Sequence, residues 1–573
     1  MKHFRQNWHL TASGILGILI FLCIFGLEPL RFTGIGWIQH GFGGSDITQH
    51  HMGWMFYRSS TWTFPLCKAL FLGYPEGTSI SFTDSIPIAA LFFKLLSPLL
   101  PENFQYFGLY TCFCFMMQGI FAAALITLFT GNKPYAVAGS TFFMTASTFL
   151  ERCFRHTALA SHWLLLAALL LYFRRRQNRH RDEYYCMTLL MCTALGIHPY
   201  LFAMVYGLLT VSEAELFFTD RLNRKSALFF ILDTALTLAF GYVLGLFGTE
   251  VAPAQGFGMY SLNLNAVFNP NAVHHKQWSA FLPARGIFPA QADGMYYLGL
   301  PLLCLTAVCT LFLLFTGPQK IIRLFRKYRG LLLFLCACTL FAVSNVITFD
   351  ERILKVIPLP EPLIRIFNIF RSSGRFFFLP CYCITLYALV IFCRILTNYL
   401  PKGGFKMILP AVFCLLLSVL QIADIRPALE ELHDFFETRY DYIGLSDEWT
   451  ELAARYDTAR TFDCLTNYSL AFWLAENDFK TDMMITAAVH MDAYWRRTEP
   501  ERKRLRNALA NGSELLDPNS IYVISTETGT NRSFASDDEL DAYIESVREA
   551  YTGRAELKFL TDWVREYWVL CPK

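Results

Sequence analysis

IPIAALFFKLLSPLL, residues 86–100, is apolar enough to pass for a membrane crossing, and whether it crosses decides which side of the bilayer every later segment faces. Its fifteen residues are short for a helix that must span, which takes about 20, and Pro87, Lys94 and Pro98 interrupt it. Apolar runs long enough to cross, or nearly so, lie at 11–30, 104–130, 135–151, 157–173, 184–198, 200–218, 227–248, 297–316, 330–348, 376–396 and 407–423. Basic residues cluster at Arg174–Arg176 with Arg179 and Arg181, at Arg221 with Arg224 and Lys225, at Lys320–Arg329 and at Arg394–Lys406. Lys and Arg collect in short cytoplasmic loops. With a cytoplasmic amino terminus, all four clusters fall inside only if residues 86–100 stay outside as an interfacial or re-entrant segment. The expected fold is therefore an α-helical polytopic membrane protein of about eleven transmembrane helices.

Composition agrees. Of 573 residues, 54% are hydrophobic and only 17% charged, too apolar for a large soluble chain of ordinary composition. The net charge of +3 is small and no basic stripe appears, which argues against a nucleic-acid partner. Most of the 17 cysteines sit in apolar runs, where a thiol acts as a small hydrophobe. Cys464 and Cys571 lie in the polar tail, where a disulfide is conceivable if that tail is extracytoplasmic. From Asp424 the apolar runs stop. Ile521–Ile524 reads as a buried strand and Asp538–Tyr551 as a helix, which predicts a small α/β domain over 424–573 beside a membrane domain over 1–423.

The parity argument puts residues 31–103, the turn Glu151–His156, the turn at His198–Pro199, the loops 249–296 and 349–375, and the tail on the outer side. Polar groups near a membrane are costly unless they pair or work, and they gather there. Asp46 follows the first span and Gly43–Gly44; its carboxylate suits a general base for a hydroxyl nucleophile, or else a turn or helix cap. Asp84 has the same ambiguity, with capping of the segment at Ile86 the plainer role. His50 and His51 are adjacent and face apart, which argues against a two-histidine metal clamp, although one of them, with His50 the candidate, can still face a site. The aromatic run Trp54–Trp62 suggests an amphipathic helix at headgroup level. In the turn Glu151–His156 the paired arginines Arg152 and Arg155 with His156 suit a phosphate-bearing group or headgroup anchoring. Arg371 and Arg375 straddle Ser372-Ser373-Gly374, which fits a lipid phosphate or pyrophosphate, or snorkelling at a helix end. Tyr260–Leu264, Asn269 and Asp293–Gly299 are suited to a sugar, or to an ordered loop.

Gly44-Ser45-Asp46, the long first outer loop, Arg155-His156 with His162-Trp163, Tyr297-Leu298-Gly299 and Arg371–Arg375 together resemble the GT-C superfamily of multi-spanning glycosyltransferases, over roughly residues 1–420. The resemblance implies a GT-C-like membrane domain and a polyprenyl-phosphate-linked sugar donor. It also implies a glycan or lipid acceptor of the cell envelope, Asp46 as catalytic base, and inverting hexosyl or pentosyl transfer in a bacterial plasma membrane. Arg155, His156, Arg371, Arg375, Asp84 and His50 are the substrate-binding candidates. The first loop lacks the paired acidic residues of the strongest members, and a single carboxylate holds a divalent ion poorly, so dependence on Mg or Mn is left open. No metal ligand is assigned. A transporter or flippase for a lipid-linked saccharide is the rival, though no internal repeat supports it; a non-catalytic envelope scaffold is the third reading.

Overall fold

Peptide groups in hydrocarbon have no water to bond, so a chain this apolar must close its hydrogen bonds within helices. Each of the eleven apolar runs carries helix in the computed structural model, which describes residues 2–42, 46–177, 183–219, 224–247, 255–272, 277–399, 405–461, 467–486, 491–529 and 532–573. Among the described residues, seven helices are long and apolar enough to cross: Asn7–Phe25, Phe107–Thr130, Thr157–Gln177, Pro199–Phe218, Ala227–Leu244, Ser373–Tyr399 and Phe405–Asp424. Length separates them from the rest. Tyr184–Ile197 and Arg329–Val343 are shorter, Lys133–Met144 has 12 residues, and Leu300–Thr316 reaches span length only if joined to Ile321–Lys327 across a 107° bend. The protein is a helical membrane protein. Its helix ends follow local chemistry: Phe107–Thr130 stops at Gly131 in a left-handed conformation (φ 66°), and Asn132 opens the next helix by accepting from Tyr135 N at 3.0 Å. Gly43–Ser45, Arg179, Arg181, Arg221 and Cys464, used in reading the sequence, lie outside the described residues.

The chain divides into two compact units. The first comprises Met1–Phe32, Tyr106–Phe240 and Gln255–Thr438; the second comprises Thr33–Gln105, Gly241–Ala254 and Arg439–Lys573. The first outer loop, assigned from the sequence to the membrane portion, thus shares a unit with the tail. The division also falls later than 424. Helix Arg426–Glu437 buries Ala428, Leu432 and Phe436 in the first unit, with Phe436 centred 5.4 Å from Phe25 and 4.9 Å from Phe154.

The second unit is built on a five-stranded sheet. Its strands run in the order Lys480–Thr481, Thr458–Thr461, Ser520–Ser525, Glu566–Pro572, Ala555–Thr561; the first three are parallel and the last two join antiparallel. Ser520–Ser525 is buried at every position, as a strand flanked on both sides and covered on both faces must be. Helix Asp537–Ala550 places Leu540, Ile544 and Val547 against Tyr522, Ile524 and Leu570. The loop completes the sheet edge: Thr481 N donates to Phe71 O at 2.9 Å, and Tyr74 N to Thr481 O at 2.8 Å.

Helix Asp46–Ser59 corrects the interfacial reading of its aromatic run, because Ile47 through Tyr57 are all buried within the unit. Its polar groups find partners there: Thr48 Oγ1 donates to Ile38 O at 2.7 Å, Trp54 Nε1 to Phe104 O at 2.8 Å and Tyr57 OH to Leu66 O at 2.7 Å. Helix Pro87–Leu95 has nine residues, about 13 Å at 1.5 Å per residue, far short of a hydrocarbon core of about 30 Å. Lys94 pins it, donating to Tyr57 O at 2.6 Å and Ser60 O at 2.7 Å, while Phe92, Leu95 and Leu99 stay 56, 64 and 83% exposed.

Candidate functional site

In the first unit, Asp293 lies on the short turn Gln291–Gly294, buried, and joins two guanidiniums. Arg152 donates through Nη1 to Oδ1, and Arg375 reaches Oδ2 through Nη2 at 2.8 Å and Nε at 3.0 Å. Three chain segments supply the cluster: the turn after Leu150, the 255–298 loop, and the 3-10 turn Ser373–Phe377 that opens a span. Gly294 is needed there, since a Cβ would lie 1.9 Å from Ser261 O. Burial opposes ionisation of Asp293, but Arg375, Arg152 and His156 outweigh it and hold the carboxyl well below the usual carboxylate range. The Arg375 guanidinium also lies over the Tyr200 ring, 5.0 Å from its centre. Two guanidiniums face one carboxylate, and Arg152 Nε is buried with no hydrogen-bond partner among the described residues.

Of the four candidates in this unit, Arg375 and His156 come to the cluster, His156 through Nδ1 at 3.4 Å from Arg152 Nη1. Arg155 pairs instead with Glu151 at 2.8 Å, an i,i+4 partner that the spacing alone provides. Arg371 stacks on Tyr260, 5.6 Å from the ring centre. Arg152, as one of two arginines in its turn, and Asp293, in a loop suited to a sugar, were legible singly but not as partners; the one available signal for the cluster was the four-residue spacing of Arg152 and His156. Near them, Gln118 Nε2 donates to Tyr382 OH at 3.1 Å and Tyr382 OH bonds His162 Nδ1 at 2.7 Å.

The loop residues suited to a sugar largely bond the loop itself. Asn263 Nδ2 donates to Gln291 Oε1 at 2.8 Å, and Gln291 Nε2 to Ser261 Oγ at 2.9 Å and Thr348 Oγ1 at 2.8 Å. Tyr297 OH donates to Asp424 Oδ2 at 2.7 Å, as does Leu300 N, so Asp424 caps a helix start rather than opening the tail.

In the second unit, Asp46 occupies the first turn of its helix, half-buried, where the helix dipole favours a carboxylate. One turn on, His50 is fully buried, and burial pushes its pKa down to about 3. Asp84 does not cap the following helix: it ends a 3-10 turn in a left-handed conformation (φ 55°), and the N-cap position of Pro87–Leu95 belongs to Ile86, which makes no side-chain cap bond. Beside His50, buried His51 meets Glu476 at 2.7 Å, and its ring stacks on Phe472 at 5.4 Å. Among the described residues, no group of three or more His, Cys, Asp or Glu is arranged to hold a metal ion.

Fold and cluster together define a multi-helical membrane protein with a buried, arginine-rich ion cluster in its helical unit. The chain belongs to the family described as a domain of unknown function (DUF6311), whose model matches residues 14–426. That match spans the helical unit and the first loop and ends before the sheet of the tail. No curated protein matches the chain.

Proposed function

We propose that this chain is a GT-C-type inverting glycosyltransferase that moves a sugar from a polyprenyl-phosphate donor to a cell-envelope glycan or lipid acceptor. The observation that carries this reading is the gathering of two buried guanidiniums, Arg152 and Arg375, at Asp293. Guanidiniums held in place at a buried carboxylate present fixed donors of the kind that bind an anion. A lipid-linked phosphate is such an anion, and arginine recognises it by charge-assisted hydrogen bonds. In the proposed reaction Asp46 takes the proton of the acceptor hydroxyl as that oxygen attacks the anomeric carbon. The bond from that carbon to the phosphate oxygen breaks, and polyprenyl phosphate leaves already ionised, so no general acid is required. No step is routed through a metal ion.

The proposal includes the finer topology: about eleven crossings of a bacterial plasma membrane, the amino terminus cytoplasmic, the tail outside, and helix Pro87–Leu95 lying in the outer interface on its exposed Phe92 and Leu95. The test is transfer of isotope-labelled sugar from polyprenyl phosphate by the full chain in proteoliposomes. Asp46→Asn is expected to lower the rate by about 10²-fold or more; full activity in that variant removes Asp46 from the chemistry. Transbilayer movement of the donor without covalent change reassigns the protein as a flippase.

A further inference from the structure

The helical unit contains a second place built for a ligand, at the other end of the same helices. A cavity of about 780 Å³ opens between Phe107–Thr130, Trp163–Gln177, Leu300–Thr316, Arg329–Val343 and Phe378–Tyr399, within the usual range of small-molecule sites. Arg375 begins the span that Arg394 nearly ends, 19 residues on. At 1.5 Å per residue that is about 28 Å, so the cavity mouth and the Asp293 cluster sit near opposite ends of the bundle.

The sequence makes the cavity by stopping a helix early. Gly317-Pro318 ends Leu300–Thr316, and the next segment turns by 107°, so no full-length helix fills the space beside Phe378–Tyr399. The turned helix Pro318–Lys327 is amphipathic. Ile321, Leu324 and Phe325 line the cavity, and Arg323 and Arg326 are exposed.

The walls ask for hydrocarbon. The lining threonines Thr306, Thr310 and Thr339 donate to Leu302 O at 2.7 Å, Thr306 O at 2.8 Å and Leu335 O at 2.8 Å, which satisfies each donor within its own helix, and the lining Tyr387 hydroxyl lies 3.2 Å from Thr310 Oγ1. The mouth asks for an anion. Among the described residues, Lys327 and Arg394 are the charged groups lining the cavity, with no carboxylate beside them, and both are exposed. Arg394 Nη2 donates to Phe129 O at a long 3.4 Å.

The geometry points to a binding site for an anionic phospholipid of the surrounding membrane, with an acyl chain between Leu300–Thr316 and Phe378–Tyr399 and its phosphate held by Lys327 and Arg394. The site is separate from the proposed donor site, and it stands whether or not the chain transfers sugar.

The test is native mass spectrometry of the full-length protein released from nanodiscs containing phosphatidylglycerol and phosphatidylcholine in equal amounts. The expected result is one retained phosphatidylglycerol, favoured at least fivefold over phosphatidylcholine. The preference is expected to vanish in Lys327→Gln/Arg394→Gln and to survive in Arg323→Gln/Arg326→Gln, whose side chains do not line the cavity. Leu314→Trp keeps both charges but fills the wall, and is expected to lose the retained lipid. Equal retention of the two lipids, an unchanged preference in Lys327→Gln/Arg394→Gln, or retention unaffected by Leu314→Trp each overturns the proposal. Preferential retention of added polyprenyl phosphate overturns the choice of occupant.

Discussion

Each unit buries a carboxylate, and the two are neutralised differently. Asp293 in the helical unit faces two arginines and lies near a histidine; Glu476 in the sheet unit faces one histidine, His51. In the first, two guanidiniums share one carboxylate; in the second, a ring and a carboxylate meet and close one helix against its neighbour. A single polar contact of the second kind serves to fix a fold, whereas arginines gathered at one carboxylate also present donors suited to an anion.

The sharpest way to break this contrast is Asp293→Asn. The substitution leaves two guanidiniums buried against a neutral amide, and breaking a buried pair from one side costs about 3–5 kcal/mol. Thermal unfolding in detergent is expected to show that loss, with partial recovery when phosphate is added if the cluster binds anions. A change under 1 kcal/mol denies that Asp293 is what holds the two arginines.

Acid separates the units further. His50 has a folded pKa of about 3, against about 6.5 when unfolded. Between those values the unfolded chain binds the extra proton, so the sheet unit loses stability as pH falls below about 6.5, by about 2 kcal/mol at pH 5. Asp293 is shifted down from an unfolded value of about 3.9, so its contribution is complete above that pH and is lost only as pH falls further, through the folded value. Hydrogen exchange at pH 7.5 and pH 5, corrected for intrinsic rates, is expected to show loosening around Asp46–Ser59 while the Asp293 turn is unchanged. His50→Gln is expected to flatten that response, and equal loosening of both units contradicts it.

The helices of this molecule were legible because lipid imposes one rule on every segment, and a run of apolar residues states it directly. The strand Ser520–Ser525 and helix Asp537–Ala550 were legible for a similar local reason: a short apolar run after a turn, and an i,i+3,i+4 pattern behind a serine cap. Contacts between distant segments were not. Nothing local in Phe71–Tyr74 announces that it will edge a sheet about 400 residues later, and the burial of His51 involves Glu476 and Phe472 of that tail. The arginines of the candidate site were visible as charges near span ends, but which of them share a carboxylate depends on where the 255–298 loop returns. Arg155 illustrates the point: its i,i+4 partner Glu151 was readable, and it removes Arg155 from the cluster that Arg152 joins.

The smaller effects test whether the sheet unit's contact is as closed as it looks. Glu476→Gln keeps an acceptor for His51 and is expected to cost about 1 kcal/mol, whereas Glu476→Ala strands a buried ring nitrogen and is expected to cost about 1–3 kcal/mol. Arg365→Ala, at an exposed i,i+4 pair with Glu361, sets the floor at under about 0.5 kcal/mol. If Glu476→Gln falls to that floor, His51 and Glu476 behave as a surface pair despite their burial. If it rises to the cost of Asp293→Asn, the sheet unit too depends on a charge it has no other means to neutralise, and the distinction between the two clusters dissolves.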